Sequence, residues 1–140
     1  MKLNPDCIRA VMLEIEKSWK LETDYKGNIR MGTLDINTLY EALPNFDKKD
    51  IFYSLYNLHQ AEYLELSIFW ADGGVAYDCT VNYMTFTGHQ FLDKIRDTQN
   101  WSKVKKGLDV VRNYSLDAIT ALAEGIANAA IAAALKESLS

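Results

Sequence analysis

Few side chains in this 140-residue chain are suited to catalysis or to metal binding. The two cysteines, Cys7 and Cys79, do not form a CxxC pair, and the only histidines are His59 and His89. A transition-metal site needs three or four such ligands at characteristic spacings, which this pattern does not supply. We therefore expect no metal site, and we expect both cysteines to be reduced thiols packed in a core. His89 is expected to seat the beginning of a helix against a sheet.

Other kinds of catalytic site are equally hard to assemble from these residues. Gly73-Gly74 fits a hairpin turn, whereas Gly27 and Gly32 lack the strand-to-helix context of a phosphate-binding loop. Acidic pairs such as Asp47 with Asp50 are routine at helix starts. Because no nucleophile, base and orienting group fit together, the sequence predicts a protein that is not an enzyme and that needs no small-molecule cofactor.

Helix caps and turn residues divide the chain into a regular order of elements. Ser, Thr, Asp or Asn precedes each helical pattern, and an Asp-Gly-Gly turn separates two strand patterns. The predicted order is a helix over 5–19 capped by Asn4, a loop over 20–33, a short helix begun by Asp35, a helix over 48–61 capped by Asp47, strands over 63–70 and 75–84, a helix begun by Thr85, and a C-terminal helix begun by Ser115.

This order is typical of a winged helix-turn-helix core of three helices and a two-stranded wing, so the predicted fold class is α+β. Further helices follow the core. In the second wing strand apolar and polar residues alternate, and the face expected to be packed carries Val75, Tyr77, Cys79, Val81 and Tyr83. We expect a winged-helix-like domain with a trailing helix over residues 1–112, followed by an alanine-rich helix over residues 113–140 that serves dimerisation or packing.

Several segments resemble a known family, the bacterial and phage-associated proteins termed domain of unknown function 2513. The resemblance covers nearly the whole chain, and the segments that carry it are the opening MKLNPDCIR, the block MTFTGHQFLDKIRD from Met84 to Asp97, Trp101 with Lys103, Val104 and Lys105, and Ser115-Leu116. It implies a small winged-helix-like protein, often carried by prophages, with no agreed catalytic residues. Glu62 departs from the family pattern, which usually has glycine there, and a left-handed helix exit is costlier without glycine.

The charge distribution limits nucleic-acid binding. A formal net charge of −4 excludes a uniform phosphate-binding surface. Positive charge is concentrated between Lys94 and Arg112, where six basic residues stand against two aspartates. This run is either a stripe that contacts DNA phosphates or an ordinary solvated helix face. The predicted wing has no lysine or arginine and is acidic.

Two functions are compatible with this pattern, and both begin from binding. The first is a dimeric regulator of phage or mobile-element origin that binds double-stranded DNA; the residues expected to contact DNA are Lys48, Lys49, Tyr53, Asn57, Arg96, Lys103, Lys105 and Lys106. The second is a phage accessory factor whose acidic wing engages or inhibits a host nucleic-acid-handling defence protein; its expected contacts are Tyr53, Tyr56, Glu65, Trp70, Asp72 and Asp78.

The C-terminal helix predicts a symmetric homodimer, since closed twofold pairs are the commonest oligomers. The apolar face expected at the dimer interface consists of Ile119, Leu122, Ile126, Ala129, Ala130 and Ala133. Alternatively, the same helix folds back on its own domain. Polar residues interrupt this segment, so we expect no stretch apolar enough to span a bilayer, no membrane association, and a cytoplasmic protein.

Overall fold

The computed structural model describes residues 1–139 and has a mixed α+β fold, as predicted. Its elements in chain order are α1 (Pro5–Ser18), β1 (Glu22–Thr23), β2 (Ile29–Arg30), β3 (Leu34–Asp35), α2 (Ile36–Ala42), α3 (Lys48–Gln60), β4 (Leu64–Ala71), β5 (Val75–Met84), α4 (Phe86–Ile95), α5 (Thr98–Val111) and α6 (Leu116–Ser138). The winged-helix arrangement remains an interpretation of this order.

The helices begin where the sequence predicts them, because a polar side chain satisfies free amide groups at each start. The five predicted caps are confirmed, and each accepts a hydrogen bond from a backbone amide two or three residues ahead: Asn4, Asp35, Asp47, Thr85 and Ser115. Asp97 plays the same part for α5. Local chemistry therefore sets these boundaries.

The predicted loop over residues 20–33 is wrong in part, because it contains a small hairpin. β1 and β2 pair antiparallel, with Glu22 opposite Arg30. Between them, one carboxylate oxygen of Asp24 accepts the amide hydrogens of Lys26 and Asn28 at 2.8 and 2.9 Å. A ladder of two residues is too short to produce a hydrophobic alternation, so the sequence pattern carries no sign of it.

β3, β5 and β4 form an antiparallel sheet with β5 in the centre. The pairing of β4 with β5 shifts register twice, leaving Asn82 and Tyr77 as extra residues in β5. Each extra residue reverses the face on which the following side chains lie. The predicted packed face is therefore correct only in the middle of β5: Cys79 and Val81 are buried, whereas Val75, Tyr77 and Tyr83 are exposed.

The base of the hairpin is tied to the helices by an aromatic residue. The ring of Tyr63 stacks on Phe91 of α4 with centroids 4.8 Å apart. The Tyr63 hydroxyl shares a hydrogen bond of 3.1 Å with Thr120 of α6. The backbone of α4 also approaches Tyr63 closely, because Gly88 has no side chain. His89, which was predicted to seat this helix start against the sheet, is exposed, and the close approach is made at Gly88.

Glu62 forms the left-handed exit from α3 that the family pattern assigns to glycine. Its φ is +64°, and the amide groups that follow the helix bond back to the carbonyls of Leu58 and His59. The carbonyl of Glu62 accepts hydrogen bonds from the hydroxyls of Thr85 and Thr87 at 2.7 and 3.3 Å. The junction therefore keeps its geometry at the cost of left-handed strain in a residue with a Cβ atom.

Only the first half of α6 packs on the rest of the protein. Leu116, Ile119 and Ala123 are buried in the common core, and every described residue from Asn128 onward is exposed. By length and composition α6 is apolar enough to cross a membrane, with a mean hydropathy of 1.6 over its best window, 11% of which is buried. The prediction that no such stretch exists is wrong, because the few polar residues do not offset the alanines.

Candidate binding surfaces

The outer end of the β4–β5 hairpin carries large apolar side chains in contact with solvent. Phe69, Trp70, Val75 and Tyr77 are 68%, 51%, 55% and 75% exposed. We call these four residues the aromatic hairpin surface. They are exposed because β5 is ten residues long, about 33 Å at the usual rise for a strand, and the helices cover only part of the hairpin.

Contacts between rings organise this surface. Phe69 and Tyr77 meet edge to face with centroids 6.2 Å apart. On the other side of the strand Trp70 contacts Phe52 of α3 at 6.2 Å, and Phe52 in turn stacks on Tyr56 at 6.3 Å. Rings in these arrangements attract each other, so the pairs favour the observed orientations of the exposed side chains.

Carboxylates border the aromatic hairpin surface. Asp72 lies in the turn, Asp78 lies opposite Phe69 in the strand pairing, and Glu65 lies nearer the base. Within residues 1–139 no lysine, arginine or histidine forms an ion pair with any of these three. The hairpin therefore combines apolar area with uncompensated negative charge.

The face of α3 that was predicted to read DNA bases lies partly under the N-terminal residues. The Tyr53 hydroxyl donates to the carbonyl of Met1 at 3.3 Å, and the Asn57 side-chain amide donates to the carbonyl of Tyr53 at 2.8 Å. Both side chains line an open groove of about 640 Å³ whose opposite wall includes Arg112 and Tyr114. Tyr53 and Asn57 therefore lie within a groove, whereas Lys49, Tyr56 and Gln60 on the same face are exposed.

Lys48 and Lys49 lie in the first turn of α3 and are exposed. The Lys48 ammonium lies 5.3 Å from the ring centre of Tyr40. Together with Phe52 and Ala76 these residues line a second groove, of about 350 Å³, beneath the hairpin. Both lysines are therefore accessible to a binding partner.

Two of the cations predicted to hold phosphates already have carboxylate partners. The Arg96 guanidinium donates two hydrogen bonds of 2.6 Å to Glu16. This hydrogen bonding is the main reason why the pKa of Glu16 lies below its usual value. Lys105 bonds both oxygens of Asp6 at 3.1 Å. Lys103 and Lys106 are exposed and form no ion pair within the described residues. The basic run is thus divided into paired and unpaired members.

The indole N–H of Trp101 donates to the same Asp6 carboxylate at 3.0 Å. Partial burial acts to raise the pKa of Asp6, but the hydrogen bonds from Trp101 and Lys105 outweigh it, and the pKa lies below its usual value. Asp6 thereby fastens the start of α1 to α5. Lys105 serves this structural contact in the free protein.

The residues predicted for the dimer interface fall into two groups. Ile119 is buried in the core of its own chain, and Leu122 and Ile126 are partly buried against that core. For the first half of α6 the structure therefore agrees with the alternative in which the helix folds back on its own domain. Ala129, Ala130 and Ala133 are exposed on the second half, so only they remain accessible to a second chain.

The thiols are structural. Cys7 and Cys79 are free and buried, and burial raises the pKa of Cys79 to about 11, so it stays protonated and poorly nucleophilic at neutral pH. No cluster of metal-binding side chains occurs in the described part of the chain. His89 borders an apolar cavity of about 200 Å³ together with Trp19, Met31 and Tyr83.

Residues 2–112 match the family described as Hypothetical protein (DUF2513). The chain belongs to this family. It is 28% identical over 131 residues to an uncharacterized protein of Haemophilus influenzae, an alignment that covers 90% of this chain and 95% of that protein. No solved structure matches.

The family match ends at Arg112, the left-handed residue that closes α5. It therefore includes the aromatic hairpin surface and the Asp6 and Glu16 ion pairs, whereas α6 follows the matched segment. Sequence reasoning identified Trp70 as a contact residue but missed Phe69 and Tyr77. The length of the predicted second strand was the available signal, since so long a strand extends beyond a small core.

Proposed function

We propose that this protein of the DUF2513 family is a non-catalytic binding protein that contacts another protein through the aromatic hairpin surface. The observation that carries the proposal is the grouping of Phe69, Val75 and Tyr77 in solvent on one face of the outer end of the hairpin, with Trp70 exposed on the other face. Single exposed apolar residues are ordinary on protein surfaces, but contiguous ones mark interaction sites. Aromatic residues are also the commonest energetic centres of interfaces.

The charge on the hairpin narrows the kind of partner. Because Asp72 and Asp78 have no ion-pair partner of their own within residues 1–139, they complement a partner with lysine or arginine around an apolar patch. A groove that normally holds nucleic acid has this character. The proposal therefore includes a host nucleic-acid-handling defence protein as the partner of a cytoplasmic, phage-associated factor.

The order of the elements supports the interpretation of the fold as a winged helix. A strand that precedes two helices pairs with a hairpin that follows them, in the sheet order β3-β5-β4. In that interpretation the hairpin is the wing. Fold alone does not assign function, so the proposal depends on the side chains of the wing and not on its topology.

Photocrosslinking tests this proposal on the intact chain. A photoreactive phenylalanine analogue at Phe69 should capture a protein that the same analogue at Phe86 does not, since Phe86 is also a solvent-exposed phenylalanine but lies on α4. The captured protein is then purified and its Kd measured against the unmodified chain.

Substitutions then show which side chains contribute to the affinity of that complex. Tyr77→Ala should weaken binding about tenfold or more, as expected for an aromatic interface centre worth about 1–2 kcal/mol, whereas Phe86→Ala should not change it. The double change Asp72→Lys and Asp78→Lys should also weaken binding of the captured protein. Equal affinities for all variants would show that the hairpin is not the contact surface.

Duplex DNA is the second candidate partner, favoured by the exposure of Lys48 and Lys49 at the start of α3. A dimeric regulator would place these lysines against phosphates on two half-sites. Fluorescence anisotropy with mixed-sequence duplex at low and near-physiological salt tests it. Binding that falls steeply with salt and is lost in the variant Lys48→Ala, Lys49→Ala would favour this function over the protein-binding one.

A further inference from the structure

The exposed second half of α6 presents an apolar stripe that begins in line with the buried face of its first half and turns away from it. Successive residues of an α-helix are rotated by about 100°, so the residues that share the stripe are spaced three or four apart: Ala127, Ile131, Ala134, Leu135 and Ser138. Around the same helix Ala134 lies in line with the buried Leu116 and about 20° from Ala123, whereas Ile131 and Leu135 lie about 80° and 120° from Ala123. The edge of the stripe that carries Ile131 and Leu135 thus turns away from the face that packs on the core.

Large apolar side chains on this stripe are in solvent. Ile131 and Leu135 are 59% and 57% exposed. Beside them a groove of about 400 Å³ runs between α6 and the helices α4 and α5, with Ala127, Asn128, Ala130 and Ile131 on the α6 side and Gln90, Asp93, Lys94 and Asn100 on the other. On α6, the small side chains of Ala127 and Ala130 along the groove therefore lie next to the large side chains of Ile131 and Leu135, which form a ridge.

We infer that this stripe pairs with the same stripe of a second copy of the chain, antiparallel, with the twofold axis passing between Ile131 and Leu135. In that arrangement Leu135 of each copy lies beside Ile131 of the other and enters the groove at Ala127 and Ala130. Groove and ridge are supplied by both copies, so the contact is isologous and closes at two chains. The inference is independent of the proposed function.

Charge supports a second copy as the occupant. From Gly125 to Leu135 the helix has no ionisable side chain, and Asp93 and Lys94 in the groove are paired with Arg96 and Glu124. Two identical segments therefore come together without repulsion between like charges and without burying an unpaired charge. The antiparallel orientation also opposes the two helix dipoles favourably. A partner with strong charge complementarity would find nothing to recognise in this segment.

The geometry of α6 disfavours a bilayer as the occupant. The fully exposed part of α6, residues 128–138, has a length of about 16 Å, compared with about 30 Å of bilayer hydrocarbon. To span a membrane, α6 would have to withdraw Leu116, Ile119 and Ala123 from the core. The small area of the stripe also implies a weak dimer, smaller than a standard interface of about 800 Å² per partner, with a Kd in the micromolar range.

Sedimentation equilibrium of the full chain over a wide concentration range tests the pairing. The wild type should pass from monomer to dimer, and the variant Ile131→Glu, Leu135→Glu should stay monomeric with an unchanged circular dichroism spectrum, since both side chains are exposed in the monomer. Ala129→Glu is the matched control, because Ala129 is exposed on the opposite side of α6, and it should dimerise as the wild type does. A wild type that is monomeric throughout overturns the inference, as does a double variant that still dimerises.

Disulfide trapping tests the antiparallel register. An equimolar mixture of Ile131→Cys and Leu135→Cys should oxidise mainly to the mixed dimer, and the native Cys7 and Cys79 do not interfere because they are buried. Preferential formation of the two homodimers would indicate a parallel pair and refute the axis. Flotation with phosphatidylcholine vesicles is run alongside: protein bound to vesicles through Ile131 and Leu135 while remaining monomeric in solution would identify lipid as the occupant and overturn the inference.

Discussion

Replacing Gly88 by alanine should destabilise the protein, although glycine is a poor helix former. A Cβ atom at position 88 would lie 2.1 Å from the carbonyl oxygen of Tyr63 and 2.9 Å from Cγ of Met84. The first of these is a backbone atom in the strand junction, so it cannot turn aside as a flexible side chain does. To accept alanine, α4 must move by about 1 Å or more to regain ordinary contact distances, which disturbs the stacking of Tyr63 on Phe91.

The magnitude follows from two opposing effects. Overpacking of a rigid contact costs typically 1–3 kcal/mol, and a backbone clash this close belongs at about the upper end. Alanine in a helix recovers about 0.8–1 kcal/mol relative to glycine. The net loss is about 2 kcal/mol in the free energy of unfolding, or about 6–8 °C in Tm for a chain of this size.

Gly125 provides the matched control for this substitution. It also lies in a helix, but nothing lies within 4 Å of an added Cβ atom, so Gly125→Ala should stabilise by up to about 1 kcal/mol. Urea denaturation followed by tryptophan fluorescence measures both variants. A Gly88→Ala protein as stable as the wild type would show that α4 does not rest on the Tyr63 carbonyl as described.

The same denaturation assay checks three further expectations. Glu62→Gly should raise stability by about 0.5–1 kcal/mol by removing left-handed strain, after allowing for the freer unfolded chain, whereas Glu62→Ala should leave it nearly unchanged. The lowered pKa of Asp6 means that its contribution is present above the unfolded pKa and is lost as the pH falls through the folded pKa. Wild-type stability should therefore decline below about pH 4, and Asp6→Asn should flatten that decline by less than about 1 kcal/mol, since its pair with Lys105 is half exposed. Ile119→Ala should cost about 2–4 kcal/mol because it opens a cavity in the core, whereas Leu139→Ala should cost nothing measurable.

Features decided within a few residues could be predicted from the sequence. Each predicted N-cap is confirmed because a cap involves a side chain and an amide two or three residues away. The α+β class follows from the same local signals. The small hairpin of β1 and β2 could not be found this way, since a ladder of two residues has no measurable period.

Features decided by long-range packing could not be predicted. The exposure of Tyr77 depends on a register shift in β5 and on how far the helices reach along the hairpin, and neither leaves a trace in the alternation. The pairing of Arg96 with Glu16 joins residues 80 positions apart. A run of basic residues therefore looked available for phosphates although some members were already engaged.

The alanine-rich helix shows the same limit in another form. When nearly every residue of a segment is apolar, its hydrophobic pattern does not identify which face meets the core, and the predicted interface was placed on the side that begins with Ile119. The structure assigns that side to the protein's own core for three turns and leaves the stripe of Ile131 and Leu135 in solvent.

Pairing through α6 would change how the hairpin acts. A dimer carries two aromatic hairpin surfaces, so a partner with two sites or a partner immobilised at high density would be held by both, and the second contact would form at a high effective concentration. A single hairpin needs only moderate affinity in that case, which fits the small apolar area of Phe69, Trp70, Val75 and Tyr77. Because the two surfaces lie on different elements, a monomeric Ile131→Glu, Leu135→Glu protein keeps the hairpin intact and separates the contribution of bivalency from that of the contact itself.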